Sequence, residues 1–391
     1  MCANLCPAGA ISMKWSEDGF LVPEVSETLC THCGVCLAKC PVEMQKSASV
    51  GAADCTHVYG GWNTDAVLHE QSSSGGIFSS IAQWVLARGG CVFGVVWEDK
   101  LHAVFAMAEN EAELSAMRGS KYVQAEPRRV YVAVRAELMK GRYVLFVGTA
   151  CQVQALKVFL RKNYERLITI DIVCHGMPSR LLFQKYVSEK EALTGKEIER
   201  VSFRDKPEGW YKYHVTSHFT DGSSVSTELL RDSYMRLFLC DKGLKTLCYD
   251  CPFIQSSRPG DISLGDFWGV EHFQPEWPIH RGISAIIANS EWGNQILLEL
   301  ESEGSIRLYP EKLEHMIPYQ GGFKRHTTQP PAERGAFLSG LRHYRLPRME
   351  FVFLDSVVVC GVRMHRDTRD RLYRLWRRIR GYVLVKLGLI K

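Results

Sequence analysis

The first twenty residues hold no basic start followed by an apolar run, so the mark of a secretory leader is missing. No stretch approaches the roughly 20 consecutive apolar residues that a membrane-spanning helix needs. Uniform basic charge is missing too. The net charge is +5, yet residues 363–391 carry eight Arg and two Lys against two Asp, a net +8 that leaves −3 for residues 1–362. These absences argue against a secreted disulfide scaffold, a helical membrane protein and a uniformly basic nucleic-acid-binding surface. They lead us to expect a cytoplasmic protein working under reducing conditions, with no nucleic acid among its partners.

Cysteine, by contrast, is abundant. The 391 residues, 46% hydrophobic and 23% charged, offer room for two or three domains, and fourteen of them are cysteines. In a reducing compartment such clusters bind metal or do redox chemistry. The stretch LCTHCGVCLAKCPVE supplies Cys30-x2-Cys33-x2-Cys36-x3-Cys40-Pro41. Three thiolates at this spacing wrap one face of an iron–sulfur cube, and the cysteine before proline ligates the other cluster of a two-cluster ferredoxin module. A zinc site would show two separated pairs instead.

The same rule interprets the opening MCANLCP. Cys6-Pro7 stands as the fourth ligand of a first motif and Cys2 as its third, with a short hairpin around Glu17-Asp18-Gly19 joining the halves. One cluster is then complete, on Cys6, Cys30, Cys33 and Cys36. The other has only Cys2 and Cys40. Either it has degenerated or two further cysteines lie upstream of Met1, and the retention of both remaining ligands favours the second. Two 4Fe-4S clusters are thus expected in the chain, and a third with an extended N-terminus.

A polar connection, QKSASVGAAD, follows and is taken as the linker, giving a ferredoxin-type domain over residues 1–50. Beyond it, a Ser/Gly loop leads into a helix from Ile77 stopped by Gly89-Gly90 and a strand from Val92 to Val96. Strands at 143–147 and 167–173 each run into a helix, with Cys151 and Cys174 at the strand ends, and a hairpin turns at Asp221-Gly222. This alternation predicts an α/β domain with a mainly parallel sheet, whose ligands gather at the carboxyl ends of the strands. Cys248-x2-Cys251 alone leaves zinc, thiol redox chemistry and chance open. Alongside Cys151 and Cys174 it makes a further cluster conceivable. Cys55, Cys91, Cys240 and Cys360 are expected to be buried apolar thiols.

In order along the chain, SSSGGIFSSIAQWVLARGG, MRGSKYVQAE, VLFVGTACQVQALKVFL, DIVCHGMPS, VSFRDKPEGW and CYDCPFIQSSRPGDISLGDFWG resemble the coenzyme F420 hydrogenase/dehydrogenase beta-subunit family, in its bacterial branch with an N-terminal dicluster ferredoxin. The resemblance covers roughly residues 1–310. It implies a flavoprotein that binds FAD and a 4Fe-4S cluster on Cys151, Cys174, Cys248 and Cys251, with an FAD-binding part over 51–140 and a cluster-bearing part over 141–345. The Ser73-Ser74-Gly75-Gly76 loop, opening a helix, would present backbone N–H groups to the FAD pyrophosphate. A plain cap and turn is the alternative. Lys121 and Tyr122 are candidates for the flavin or its phosphates, and Thr149, Gln152, His175 and Gly176 for the isoalloxazine. Asp261, Asp266 and Trp268 would shape the neighbouring loop. His175 and Lys121 stand as candidates for proton delivery.

The function these features imply is an iron–sulfur flavin-dependent oxidoreductase. It would take electrons from a ferredoxin or another redox protein and deliver them to a small-molecule substrate. Relatives reduce F420 or chlorophyll-type pigments, or resemble components of surface-polysaccharide pathways. Nothing in the sequence singles out basic groups for the anionic tail of F420. An electron-transfer subunit with no substrate of its own and a degenerate iron–sulfur protein are the alternatives. The segment 346–391 is expected to be a basic helical tail, suited to an anionic membrane surface or, more simply, to packing on the body.

Overall fold

The computed structural model describes residues 1–47, 57–255, 257–323, 329–354, 356–359 and 362–365. The N-terminal module is built on the expected hairpin, β1 (Ile11–Trp15) and β2 (Leu21–Val25), paired antiparallel with Ile11 opposite Val25. Gly19 makes the turn possible. It sits at φ +74°, and a Cβ there would lie 2.7 Å from the Ser179 hydroxyl of the body. Short helices Cys2–Leu5 and Val35–Ala38 carry cysteines at one end of the hairpin. Cys40 leads directly into a helix, Pro41–Ser47. The start of the expected linker is therefore helical, and residues 48–56 lie outside the described residues.

The body is an eight-stranded sheet, and it is mixed rather than mainly parallel. Its strands are β3 (His57–Asn63), β4 (Cys91–Glu98), β5 (His102–Ala108), β6 (Val144–Thr149), β7 (Leu167–Ile172), β11 (Ile262–Asp266), β12 (Ser284–Ala288) and β13 (Ile306–Pro310). Between β7 and β11 in the chain, β8 (Ile198–Asp205), β9 (His214–Phe219) and β10 (Ser224–Glu228) form a separate antiparallel sheet. The large sheet runs β13-β3-β12-β11-β7-β6-β4-β5. Only its centre, β4-β6-β7-β11, is parallel. The flanking pairs are antiparallel: β5 returns from β4 through the three residues Asp99–Leu101, too short for a crossover helix, while β12 returns beside β11 through a longer loop.

The central strands alternate their side chains between two apolar layers, as the two-residue period of a strand requires. Phe93, Val144 and Phe146 face one layer with helices Val130–Met139 and Ala150–Leu160, while Val92 and Leu145 face the other with helices Ile77–Ala87 and Glu291–Ser302. Helix Leu346–Phe353, at the head of the expected tail, buries Leu346, Met349 and Phe353 in the first layer. Residues 363–365 belong to a short strand, Val362–His365, paired with Ser356–Val359. The helical reading of residues 366–391 lies outside the described residues.

Candidate functional site

Register brings the candidate residues to one edge of the sheet. Thr149 is level with Ile172, Ile172 with Leu264, Asp266 with Ser284 and Ser284 with Gly61. Cys151 follows β6, Cys174 follows β7, and the Ser73–Gly76 loop reaches the same edge through Gly75, whose N–H donates to Ser284 Oγ at 3.0 Å.

Each of the four dispersed cysteines is placed by a distinct device. Thr149 starts the helix that bears Cys151. Its N–H and hydroxyl donate to Gln152 Oε1 at 2.8 and 3.1 Å, and its Oγ1 lies 3.2 Å from Cys151 Sγ. The Cys174 loop is bridged to the Cys248–Cys251 turn between Pro178 and Leu244, with Lys245 N–H donating to Met177 O at 2.8 Å. The turn's far side is fixed by Arg258. This buried guanidinium donates to Asp171 Oδ1 at 2.6 Å, to the carbonyl of Phe253 and to that of Ile172.

The thiols so placed act on one another. Burial, and then the neighbouring thiols of Cys248, Cys151 and Cys251, push Cys174 up to about 12, and burial likewise raises Cys151. Four thiolates cannot coexist at such a site without positive charge among them, which the irons of a cluster supply. The donor set therefore fits a 4Fe-4S cluster. Among the described residues no three His, Cys, Asp or Glu side chains converge on one ion position. A cube binds each thiolate at a different corner, so its ligands need not converge in that way.

The module's cysteines divide into two sides. Helix Cys2–Leu5 lies against helix Val35–Ala38, bringing the two halves of the motif together. Left-handed conformations at His32 (φ +52°) and Gly34 (φ +70°) turn the Cys30–Cys36 loop. The exposed Cys33 thiol is held below its ordinary value by the Val35 N–H and the Thr31 hydroxyl, and Ala10 N–H donates to Cys6 Sγ at 3.3 Å. Such donors suit thiolates that ligate a cluster. Cys2 and Cys40 face the body instead. Cys40 packs with Cys151 and Cys251 around Val42, Ala150 and Phe253. Two thiolates do not hold a cube, so the Cys2/Cys40 pair by itself does not fit that group.

The flavin candidates scatter more. Ser74 Oγ donates to Ile283 O at 2.8 Å, and Gly75 approaches the Gly61 carbonyl so closely that a Cβ would stand 2.3 Å from it. These two residues thus have partners on the sheet. Gly76, at φ +84°, starts the helix Ile77–Ala87. Ser73 accepts from Ser120 N–H at 3.0 Å and lines, with Gly119, a cavity of about 380 Å³. Lys121 lies at the end of helix Glu111–Met117, donating to the carbonyls of Met117, Arg118 and Gly119, and burial lowers it to about 8. Tyr122 packs on Phe203 and Phe238. His175 pairs with Asp241 at 2.6 Å and stands edge-on to Phe238, followed by Gly176 at φ +149°.

The sequence had pointed to no individual role for Arg204 or Lys206, within the segment VSFRDKPEGW. Both are buried and line the cavity. Burial works against the Arg204 charge, but Asp266, Tyr122 and Tyr213 outweigh it and raise its pKa. Arg204 is paired with Asp266 at 2.8 Å and reaches the Tyr122 hydroxyl, while its Nε has no hydrogen-bond partner among the described residues. Trp210 donates to the same Asp266 and stacks on Trp268 at 4.4 Å. Asp261 accepts from Thr169 N–H. Of the four isolated cysteines, Cys91 is buried as expected and pushed up to about 11, Cys240 is half-buried, and Cys55 and Cys360 lie outside the described residues.

Comparison with known families agrees with this arrangement. Residues 58–129 match the family model described as coenzyme F420 hydrogenase/dehydrogenase, beta subunit N-term, and residues 141–313 match that of its C terminus. The chain belongs to this beta-subunit family. Residues 1–44 match a 4Fe-4S dicluster domain. The protein is accordingly an iron–sulfur electron-transfer protein, of a family associated with redox enzyme complexes. Among solved structures it is similar to a chain of the F420-reducing NiFe hydrogenase complex from Methanosarcina barkeri. Identity there is 16% and the TM-score 0.47, over 75% of this chain and 90% of that one. No curated protein matches. Among the described residues, no helix of this family member is long and apolar enough to cross a membrane.

Proposed function

We propose that the protein is an iron–sulfur flavin-dependent oxidoreductase that takes electrons from a ferredoxin-like donor and delivers them to a small molecule. Cys6, Cys30, Cys33 and Cys36 would hold one 4Fe-4S cluster, and Cys151, Cys174, Cys248 and Cys251 the other. The observation that carries this reading is the meeting of four thiols, dispersed over a hundred residues, at the carboxyl edge of β6 and β7. FAD, when bound, supplies the conversion between one-electron and two-electron transfer. Among this chain's residues, the unpartnered Arg204 Nε and the cavity beside Ser73 and Gly119 are the features suited to its polar groups or to the substrate. His175, tied to Asp241, remains the candidate for moving a proton.

Anaerobic purification with iron, sulfide and flavin quantification tests the proposal. About eight iron atoms and one FAD per chain are expected, with about four irons lost in Cys174→Ser. Purified protein with full iron and no flavin would overturn the flavoenzyme reading in favour of an electron-transfer subunit.

A further inference from the structure

Lys245 occupies an unusual place. Its backbone N–H donates to Met177 O, in the loop after Cys174, and its carbonyl accepts from Cys248 N–H, both at 2.8 Å. Its side chain crosses to the N-terminal module, where Nζ donates to Leu21 O on β2 at 2.8 Å. One residue thus touches the Cys174 loop, the Cys248 turn and the ferredoxin hairpin.

Lys245 is half-buried; desolvation lowers the pKa of its ammonium, and the groups that favour its charge are the thiols of Cys248, Cys151 and Cys2. No carboxylate among the described residues acts on it. Arg258 and Arg204 have one, on Asp171 and Asp266, whereas Lys121, like Lys245, is held by backbone carbonyls. A buried cation without a counter-charge is costly. Thiolates at Cys248 and Cys151 are anions that would offset that cost.

We propose that Lys245 tunes the cluster of the body, its ammonium raising the reduction potential of the site formed by Cys151, Cys174, Cys248 and Cys251. The inference rests on the cluster assignment made above. A cube ligated by four thiolates is anionic, and on reduction it takes one electron from its donor while no bond breaks and no proton moves. The fixed positive charge stabilises the reduced form more than the oxidised form, because net charge and hydrogen bonding set such potentials. Lys245 is a positioning residue, since it ligates nothing. By holding Leu21 it also makes the tuned potential depend on the module being seated.

The test uses the full chain, purified anaerobically, with the cluster signal followed by electron paramagnetic resonance in a potentiometric titration. The signal of the body cluster is identified by its loss in Cys174→Ser. In Lys245→Met and Lys245→Gln the one-electron equilibrium is expected to move at least tenfold toward the oxidised form, 59 mV for one electron, with iron content intact. Lys245→Arg should keep the wild-type potential. An unchanged potential in either iron-replete neutral variant would overturn the proposal. So would loss of about four irons in both neutral variants with Lys245→Arg replete, which would make the residue a support for assembly instead. Absence of the Cys174-dependent signal and iron from the unsubstituted chain would defeat the cluster assignment itself, a separate result.

Discussion

The module and the body hold their cysteines in opposite ways. In the module, Cys30, Cys33 and Cys36 are neighbours in sequence on a loop whose surroundings are mostly exposed, and its few buried apolar side chains include Ala10, Ile11, Phe20, Leu21 and Val42. In the body, Cys151, Cys174, Cys248 and Cys251 come from three separate connections, placed by a sheet with apolar layers on both faces. The difference teaches where the ordering free energy comes from. A small core cannot offset the conformational entropy of its chain, so a metal must contribute. A large core preforms the site, and the cluster proposed there would enter a shape already made.

The most severe way to break this comparison is to strip the iron. Chelation under anaerobic conditions is expected to leave residues 1–47 open to protease while a resistant core containing the eight-stranded sheet survives. Digestion of both at equal rates would erase the distinction. A smaller effect comes from within the body's own scaffold. Arg258→Met leaves Asp171 buried without its partner, and loss of one member of such a pair costs about 3–5 kcal/mol. Urea unfolding should report it, whereas Glu24→Gln, removing an exposed partner of Lys14 on the module hairpin, should give no resolvable change.

Smaller again is the proton linkage at His69, a buried ring bonded to Gly282 O at 2.6 Å and lowered to about 4 mainly by burial. With its folded value below its unfolded one of about 6.5, the folded state binds fewer protons between those limits. Stability therefore falls as pH drops from about 6.5 toward 4, by on the order of 3 kcal/mol at full protonation. The wild-type protein should lose that increment between pH 7 and pH 4, measured against His69→Gln under the same conditions. Parallel pH profiles for the two would refute the assignment.

Much of this molecule was legible in its sequence where the signal is local. The hairpin at residues 11–25 follows from alternation around Glu17-Asp18-Gly19, and the helices after Gly148 and Pro178 follow from their strand-to-helix turns. The outer strands on the β13 side of the sheet were not legible. β3 reads HVYGGWN, and two glycines weaken any strand propensity. They are there because neighbours fill the space, with a Cβ on Gly60 lying 2.3 Å from the Trp277 ring and one on Gly61 lying 2.6 Å from Arg307 O. The same blindness made a mixed sheet look parallel, since β12 and β13 find β3 only across long range. At the site, Arg204 went unassigned because the Asp266 that neutralises it is sixty-two residues away. Gly75 had the look of a phosphate loop, and its close approach in the fold is to the sheet.

The position of β3 has a consequence for how the protein is made. Its partners in the sheet among the described residues, β12 and β13, begin at Ser284 and Ile306, more than two hundred residues after Asn63. At synthesis rates of about 5–20 residues per second, the strand waits roughly 10–45 seconds before its first neighbour leaves the ribosome. During that interval Val58, Tyr59 and Trp62 belong to an unpaired edge, and the parallel centre β4-β6-β7 has time to assemble without it. The last step of sheet completion thus joins the start of the body to its far end, and a truncated nascent chain would carry that edge unpaired.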